Sequence, residues 1–379
     1  MRAIIRVCSA LLLLALLVVC PVLAASQQVV IGADLEISGA VATLGKSAME
    51  GMQLATDQQN ARGGVLGQHI ELVVLDNRSE VTETANQATR LIAEKRVVAI
   101  IGPVTSGNCK AAGPIAQGRQ VVLFTPSATN PTVTNIGSYI FRACFLDSYQ
   151  GETIAKFAAL YLNKRHMAIL VENGNDYARG LAVFTASTFK QLGGQVVAQE
   201  FYAKGEKDFS SALTKIKTLQ PDIIVLPNYY DTVGLCIKQA REMGIKVAMI
   251  GGDGWDSPLL LQTAGAKNLN NTFFTNHYTP LDPTPLVQTF VKQYQARYHK
   301  TPDTLAALGY DSALILFDAI RRAKSIERTA IRNALASTVN FKGVTGTVTM
   351  GKDRNPIKSI SVLELKDGKQ LLRMKINPK

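Results

Sequence analysis

Two short loops carry the residue types best suited to holding a small charged molecule: Gly102-Pro103-Val104-Thr105-Ser106-Gly107 and Thr125-Pro126-Ser127-Ala128-Thr129-Asn130-Pro131. Each follows an apolar, β-branched run, Val97 to Ile101 and Val121 to Phe124. Such runs read as buried strands of a parallel sheet, which sets both loops at the carboxyl ends of strands, where open α/β sheets bind ligands. The first loop leads directly into a helical stretch from Cys109 to Gln117. A helix start offers unpaired N–H donors and a partial positive charge, so hydroxyls placed there make a site for a small anion, with a carboxylate as the natural guest.

Catalytic and metal signatures are missing from the sequence. There is no Gly-x-Ser-x-Gly elbow and no His-Glu-x-x-His, and the four histidines, His69, His166, His277 and His299, form no close cluster with cysteines. The segment Ala40-Val41-Ala42-Thr43-Leu44-Gly45-Lys46-Ser47 fits a permissive phosphate-loop pattern. The strict form needs glycine at Ala40, and an exported protein meets little ATP, so nucleotide binding is not expected. The reading is a binding protein without catalytic residues, metal or cofactor.

The elements that must position these loops alternate strand and helix. A first set runs Val29–Ala33, a helix to Asn60, Ile70–Leu75, a helix Val81–Lys95, Val97–Ile101, a helix to Gln117 and Val121–Phe124. A second begins after Asp147: a helix to Leu162, His166–Val171, a helix Ala178–Leu192, Gln195–Tyr202, a helix Phe209–Leu219, Asp222–Leu226, a helix Thr232–Met243 and Val247–Ile250. This alternation marks α/β units with parallel sheets, and two sets in succession mean two lobes. The tail from Thr272 adds helical patterns at Leu305–Lys324 and Ile326–Ser337 and β-like runs at Gly346–Met350 and Ser359–Leu365, shared between the lobes.

Residues 1–25 read as an export signal: Arg2 and Arg6 precede the apolar run Leu11 to Val19, and Val22-Leu23-Ala24 ends in small residues suited to cleavage before Ala25. Cys20 admits a lipoprotein reading, weakened by Val19 before it and Pro21 after it. Beyond Ala25 no apolar run approaches the roughly 20 residues of a bilayer span, and the chain is too long for one hydrophobic core. The formal net charge is +12, but the basic residues are scattered. Their densest set, Arg321, Arg322, Lys324, Arg328 and Arg332, lies on helical sequence without aromatic partners, a solvated helix surface rather than a nucleic-acid footprint. After the signal only Cys109, Cys144 and Cys236 remain, an odd number that excludes a disulfide-built scaffold and leaves their pairing open.

The ordered motifs Ile31-Gly32-Ala33-Asp34-Leu35 with Ser38-Gly39, Ala61-Arg62-Gly63-Gly64-Val65-Leu66-Gly67, Ile101-Gly102-Pro103, Thr125-Pro126-Ser127-Ala128-Thr129, Gly205-Glu206-Lys207-Asp208-Phe209-Ser210 and Arg241-Glu242-Met243-Gly244 resemble the periplasmic branched-chain amino acid binding proteins of ABC transporters. The resemblance spans essentially the whole mature chain. It implies a monomer in the periplasm with two Rossmann-like lobes, parallel central sheets and three hinge crossovers, closing on one amino acid and delivering it to a membrane permease. The lobes would comprise residues 27–146 plus 277–349 and residues 147–276 plus 350–379.

Carried over residue by residue, the family's carboxylate site falls on Ser106 and Thr129, with the Ser127 carbonyl toward the ligand ammonium. Asp147, Tyr177, Tyr229 and Asp253 then face the ligand from the second lobe, Asp253 pairing with the ammonium. Leu44, Val104, Ala128 and Tyr229 would make a mostly apolar pocket for an aliphatic side chain, and Thr105, where a family disulfide is missing, could favour a smaller or more polar one. Leu44 also replaces an aromatic residue common at the cleft mouth of leucine-type binders. Plainer roles exist for several positions: Ser106 and Asp147 as helix N-caps, Thr129 in the Asn130-Pro131 turn, the two tyrosines as half-buried core, and Asp253 in a glycine-flanked turn. A same-fold sensor for amides or organic acids is the alternative function, against which the acidic Asp253 speaks. Trp255, two residues beyond Asp253, is expected to face the cleft.

Overall fold

A computed structural model describes residues 28–377, so the export signal and Cys20 lie outside the described residues. The chain order is β1 (Val29–Leu35), α1 (Ala42–Ala61), β2 (Ile70–Asp76), α2 (Val81–Ala93), β3 (Ala99–Ile101), α3 (Ser106–Gly118), β4 (Val122–Thr125), β5 (Ile140–Arg142), α4 (Asp147–Lys156), β6 (His166–Glu172), α5 (Asp176–Gln191), β7 (Gln195–Tyr202), α6 (Ser210–Thr218), β8 (Ile223–Leu226), α7 (Tyr230–Glu242), β9 (Ala248–Gly251), α8 (Pro258–Ala264) and β10 (Thr272–Asn276). There follow α9 (Pro285–Tyr298), α10 (Thr304–Ala323), α11 (Arg328–Ala336), β11 (Phe341–Gly343), β12 (Gly346–Val348), β13 (Ile360–Lys366) and β14 (Lys369–Ile376).

Two sheets organise these elements. The first has the order β2-β1-β3-β4-β5, parallel throughout, and the second the order β14-β13-β10-β9-β8-β6-β7. Strands β3, β4, β8 and β9 are buried along their whole length. That is the condition of a parallel sheet with helices on both faces, and it explains why their sequences are continuous apolar runs instead of alternating ones. The two-lobed α/β architecture with parallel central sheets expected from the sequence is what the chain adopts. It crosses between the lobes three times, after β5, after β10 and after β12.

The tail departs from the parallel pattern. Strand β13 pairs antiparallel with β10, and β14, not anticipated from the sequence, pairs antiparallel with β13 at the sheet edge. Its burial alternates only weakly, so half of it faces solvent and the polar residues of Lys369–Ile376 are tolerated there. Helix α9 was also not anticipated: only Val287, Phe290, Val291 and Tyr294 are buried, in a stretch whose other residues are mostly polar.

Candidate functional site

The first loop is shaped by an acid that stands one residue beyond β1. Glu36 is fully buried, and its carboxylate accepts hydrogen bonds from the Val104 N–H (3.1 Å), the Thr105 N–H (3.1 Å), the Thr105 hydroxyl (2.8 Å) and Asn108 Nδ2 (2.9 Å). Thr105 therefore spends its side chain on Glu36 and does not cap α3, although it occupies the cap position. The α3 start keeps its positive end for whatever enters the cleft. Ser106, the first helical residue, is 1% exposed and accepts from the Asn130 N–H at 3.2 Å, which ties the helix start to the second loop.

The second loop is stitched to the first by hydroxyls. Thr125 donates to the Pro103 carbonyl (2.6 Å) and accepts from the Ala128 N–H (3.0 Å), while Ser127 donates to the Val104 carbonyl (2.8 Å). The guanidinium of Arg142, wholly inside the protein, donates to the carbonyls of Ala128 (2.7 Å) and Asn130 (2.8 Å). Between these anchored residues the Thr129 hydroxyl is buried and has no partner. A buried hydroxyl without a partner costs free energy comparable to a lost hydrogen bond, and the protein group beside it is the equally unpartnered carboxyl of Asp147.

From the other lobe come Tyr177, Tyr229 and Asp253. Tyr177 stands in the first turn of α5, Tyr229 immediately before α7, and Asp253 just beyond β9. The Tyr177 hydroxyl donates to Asp253 Oδ1 at 3.0 Å, and its ring stacks on Tyr229 with centroids 4.9 Å apart. Gly252 and Gly254 make that seat possible: a Cβ at Gly252 would lie 2.2 Å from the Tyr177 hydroxyl oxygen, and one at Gly254 2.8 Å from the Tyr229 ring. Asp253 also accepts from Gln150 Nε2 on Oδ1 (2.8 Å) and meets His277 Nε2 on Oδ2 (3.1 Å). Burial pushes the Tyr229 phenol up, Asp253 and Glu36 reinforce this, and the Ser106 backbone, facing it from the first lobe, opposes it.

Asp147 opens α4 next to this cluster, and its N–H donates to the Thr129 carbonyl at 3.0 Å. It is fully buried, and neither carboxylate oxygen has a partner with hydrogen-bond geometry. Burial raises its pKa to about 8, the Thr129 hydroxyl opposing and the Asp253 charge adding to the rise. Leu44, Val104 and Ala128 are buried apolar residues of the first lobe, in the first turn of α1 and in the two loops. Ser106 and Thr129 are tied to each other through Asn130 and to Asp147 through its N–H, and Tyr177 joins Tyr229 to Asp253, whereas the Thr105 hydroxyl is engaged by Glu36.

Trp255 is fully buried: Nε1 donates to the Leu226 carbonyl at 3.0 Å, the ring lies near Phe274, and it lines a cavity of about 850 Å³ shared with Thr43 and Lys46 of the first lobe. An indole needs apolar cover and one acceptor, and the lobe interior supplies both. The lookalike phosphate loop is likewise put to another use: α1 begins at Ala42, and the Thr43 N–H takes the Tyr230 hydroxyl of the opposite lobe at 3.2 Å. Cys109, Cys144 and Cys236 are all free and buried. Among the described residues no group of His, Cys, Asp and Glu could hold a metal ion. Four residues that build the site, Glu36, Arg142, Gln150 and His277, were not singled out from the sequence, since each acts through a partner distant along the chain.

A family model described as periplasmic binding protein matches residues 28–370. The chain belongs to the periplasmic binding protein family. Among solved structures, this binding protein is similar to the leucine binding protein LivK of Thermotoga maritima, with 37% identity, a TM-score of 0.88, and coverage of 92% of this chain and 99% of the other. It is similar in the same degree to the branched-chain amino acid transporter substrate binding protein LivJ of Streptococcus pneumoniae in complex with isoleucine, with 36% identity, a TM-score of 0.88, and coverage of 93% and 100%. The Leu/Ile/Val-binding protein BraC3 of Rhizobium johnstonii is 30% identical over 253 residues, 66% of this chain and 68% of that protein. The resemblance to branched-chain amino acid binding proteins read from the sequence is thereby borne out.

Proposed function

We propose that this binding protein captures an aliphatic L-α-amino acid between its lobes and hands it to the membrane permease of an ABC transporter. What supports the reading is that Tyr229 lies between Asp253 and the Ser106 backbone at the uncapped α3 start, and that Asp147 lies against both Thr129 and Asp253. A zwitterion brings one anion and one cation, and burying either unpaired would cost several kcal/mol, so both must be met in the same cleft. In this reading the ligand carboxylate takes Ser106, Thr129 and the first-turn N–H groups of α3. The ammonium takes Asp253 and the Ser127 carbonyl. Tyr177 and Tyr229 close over it, Asp147 lies beneath, and Leu44, Val104 and Ala128 receive the side chain with Thr105 at its edge. The similarity to the leucine binding protein LivK and to LivJ, which holds isoleucine, supports the aliphatic class.

The lobes that close would be residues 27–146 plus 277–349 and residues 147–276 plus 350–379, with the protein acting as a periplasmic monomer after removal of residues 1–25. No turnover is expected. A thermal-shift screen of the mature protein against the twenty amino acids and common organic acids tests the proposal. A ligand at a hundred times its dissociation constant stabilises by about 2.7 kcal/mol, so the true ligand stands out. Shifts produced only by acids lacking an amine would turn the assignment to an organic-acid sensor.

A further inference from the structure

His277 lies at the crossover that leaves β10 for the first lobe, and its imidazole is wholly enclosed. One face is stacked on Phe145, on the crossover between β5 and α4, with centroids 3.5 Å apart and planes 20° from parallel. The ring therefore joins two of the three hinge segments. Its Nε2 lies 3.1 Å from Asp253 Oδ2, and since a carboxylate only accepts, Nε2 carries the proton of the neutral ring. Nδ1 is then a buried acceptor, and it has no partner. The neighbouring Asn276 holds the same turn, its Nδ2 donating to Asp256 Oδ2 at 2.9 Å. The acid assigned to the ligand ammonium is thus held from the hinge.

We propose that His277 is a positioning residue that presents Asp253 to the ligand ammonium, and that a proton taken up at the free Nδ1 competes with that ammonium, weakening binding in acid. This rests on the amino acid reading given above. A doubly protonated ring would form an ion pair with Asp253 inside the protein, so an arriving ammonium would bring a second positive charge to an acid already neutralised. By linkage, ligand and proton must weaken each other equally.

The charged groups around the ring allow this. Asp253 favours the proton and Lys358, on the third crossover, opposes it, while burial is the largest influence and lowers the His277 pKa from its ordinary value. Asp282 and Lys375 line a cavity of about 200 Å³ together with His277, and they neutralise each other as an ion pair at 2.7 Å. Burial pushes Asp147 up to about 8, so it keeps its proton as the solution becomes acidic.

The test measures dissociation constants of L-leucine, L-isoleucine and L-valine for the unaltered protein and for His277→Gln between about pH 7.5 and pH 5. Gln retains an N–H for Asp253 but does not titrate. Affinity of the unaltered protein should fall by about threefold or more as the pH drops across this range, and that of His277→Gln, lower at the neutral end because Asp253 is held less well, should change by less than about twofold. Equal pH profiles in the two proteins overturn the role of His277 while leaving the amino acid reading intact. Failure of all three amino acids to bind the unaltered protein at neutral pH refutes both. Should His277→Gln not fold, imidazole NMR of the unaltered protein decides: saturation with the amino acid must move the His277 titration to lower pH, and an unmoved midpoint overturns the proposal.

Discussion

The Tyr230 hydroxyl of one lobe lies 3.2 Å from the Thr43 N–H of the other, at the first turn of α1. Beside it Thr43 Oγ1 and Ser257 Oγ are 2.9 Å apart, so the α1 start is held by the opposite lobe twice. This is the segment whose sequence imitates a phosphate loop. One of its N–H groups, that of Thr43, serves lobe contact, and Lys46, four residues into the helix and exposed, is not needed for it.

Tyr230→Phe removes the cross-lobe acceptor without disturbing either lobe. A neutral hydrogen bond contributes about 0.5–1.5 kcal/mol, so ligand affinity should fall by up to about tenfold. Melting of the ligand-free protein should hardly change. Titration calorimetry beside a melting curve checks both halves, and an undiminished affinity would mean that the contact does not hold the closed form.

Glu36→Ala leaves four donors facing a hole in the protein interior. Unsatisfied buried groups cost about 1–3 kcal/mol each, partly recovered by water, so the variant should lose about 3 kcal/mol or more of stability in chemical denaturation. Glu36→Gln, which keeps an accepting carbonyl oxygen, should lose less. Alanine and wild-type midpoints that coincide would remove Glu36 as the anchor of the first loop.

Asp147 makes stability depend on pH in a specific direction. Its folded pKa of about 8 stands above the ordinary carboxylate value of 3.8 because burial penalises the charged form. Between those values the folded state holds a proton that the unfolded state has released. The contribution of this group therefore falls steadily as pH rises, and levels off above about pH 8. Asp147→Asn should show no such loss, so its melting temperature should gain on the wild type from about pH 5 to pH 8. A constant difference across that range would contradict the assignment.

The helices and, β5 apart, the strands of both lobes up to β9 could be read from the chain because the central parallel strands are continuous apolar runs alternating with helical stretches. The loops at Ser106 and Thr129 could be read because strand ends followed by hydroxyls and a helix form a local pattern. What escaped was non-local. Glu36 reads as a surface acid just past a strand until the loop 68 residues later folds onto it. His277 reads as an isolated histidine until β10 sets it beside Asp253. Strand β5 is three residues long and β14 is a half-exposed edge, so neither has a run long enough to signal itself. The orientation of Trp255 depended on an acceptor, the Leu226 carbonyl, that no local pattern supplies. With the indole buried in this way, ligand should leave its emission wavelength nearly unmoved.

The ion pair between Asp253 and a ligand ammonium is the centre of the account, and one pair of ligands isolates it. L-Leucine and 4-methylpentanoate share the carboxylate and the branched chain and differ in the amine alone. Calorimetric titration of both into the wild type and into Asp253→Ala should show leucine bound far more tightly than its deaminated analogue by the wild type. Removing one partner of a buried charged pair costs about 2–5 kcal/mol, so the variant should lose at least about thirtyfold for leucine and little for the analogue. Equal affinity of the wild type for the two ligands, or undiminished leucine binding in Asp253→Ala, would contradict it.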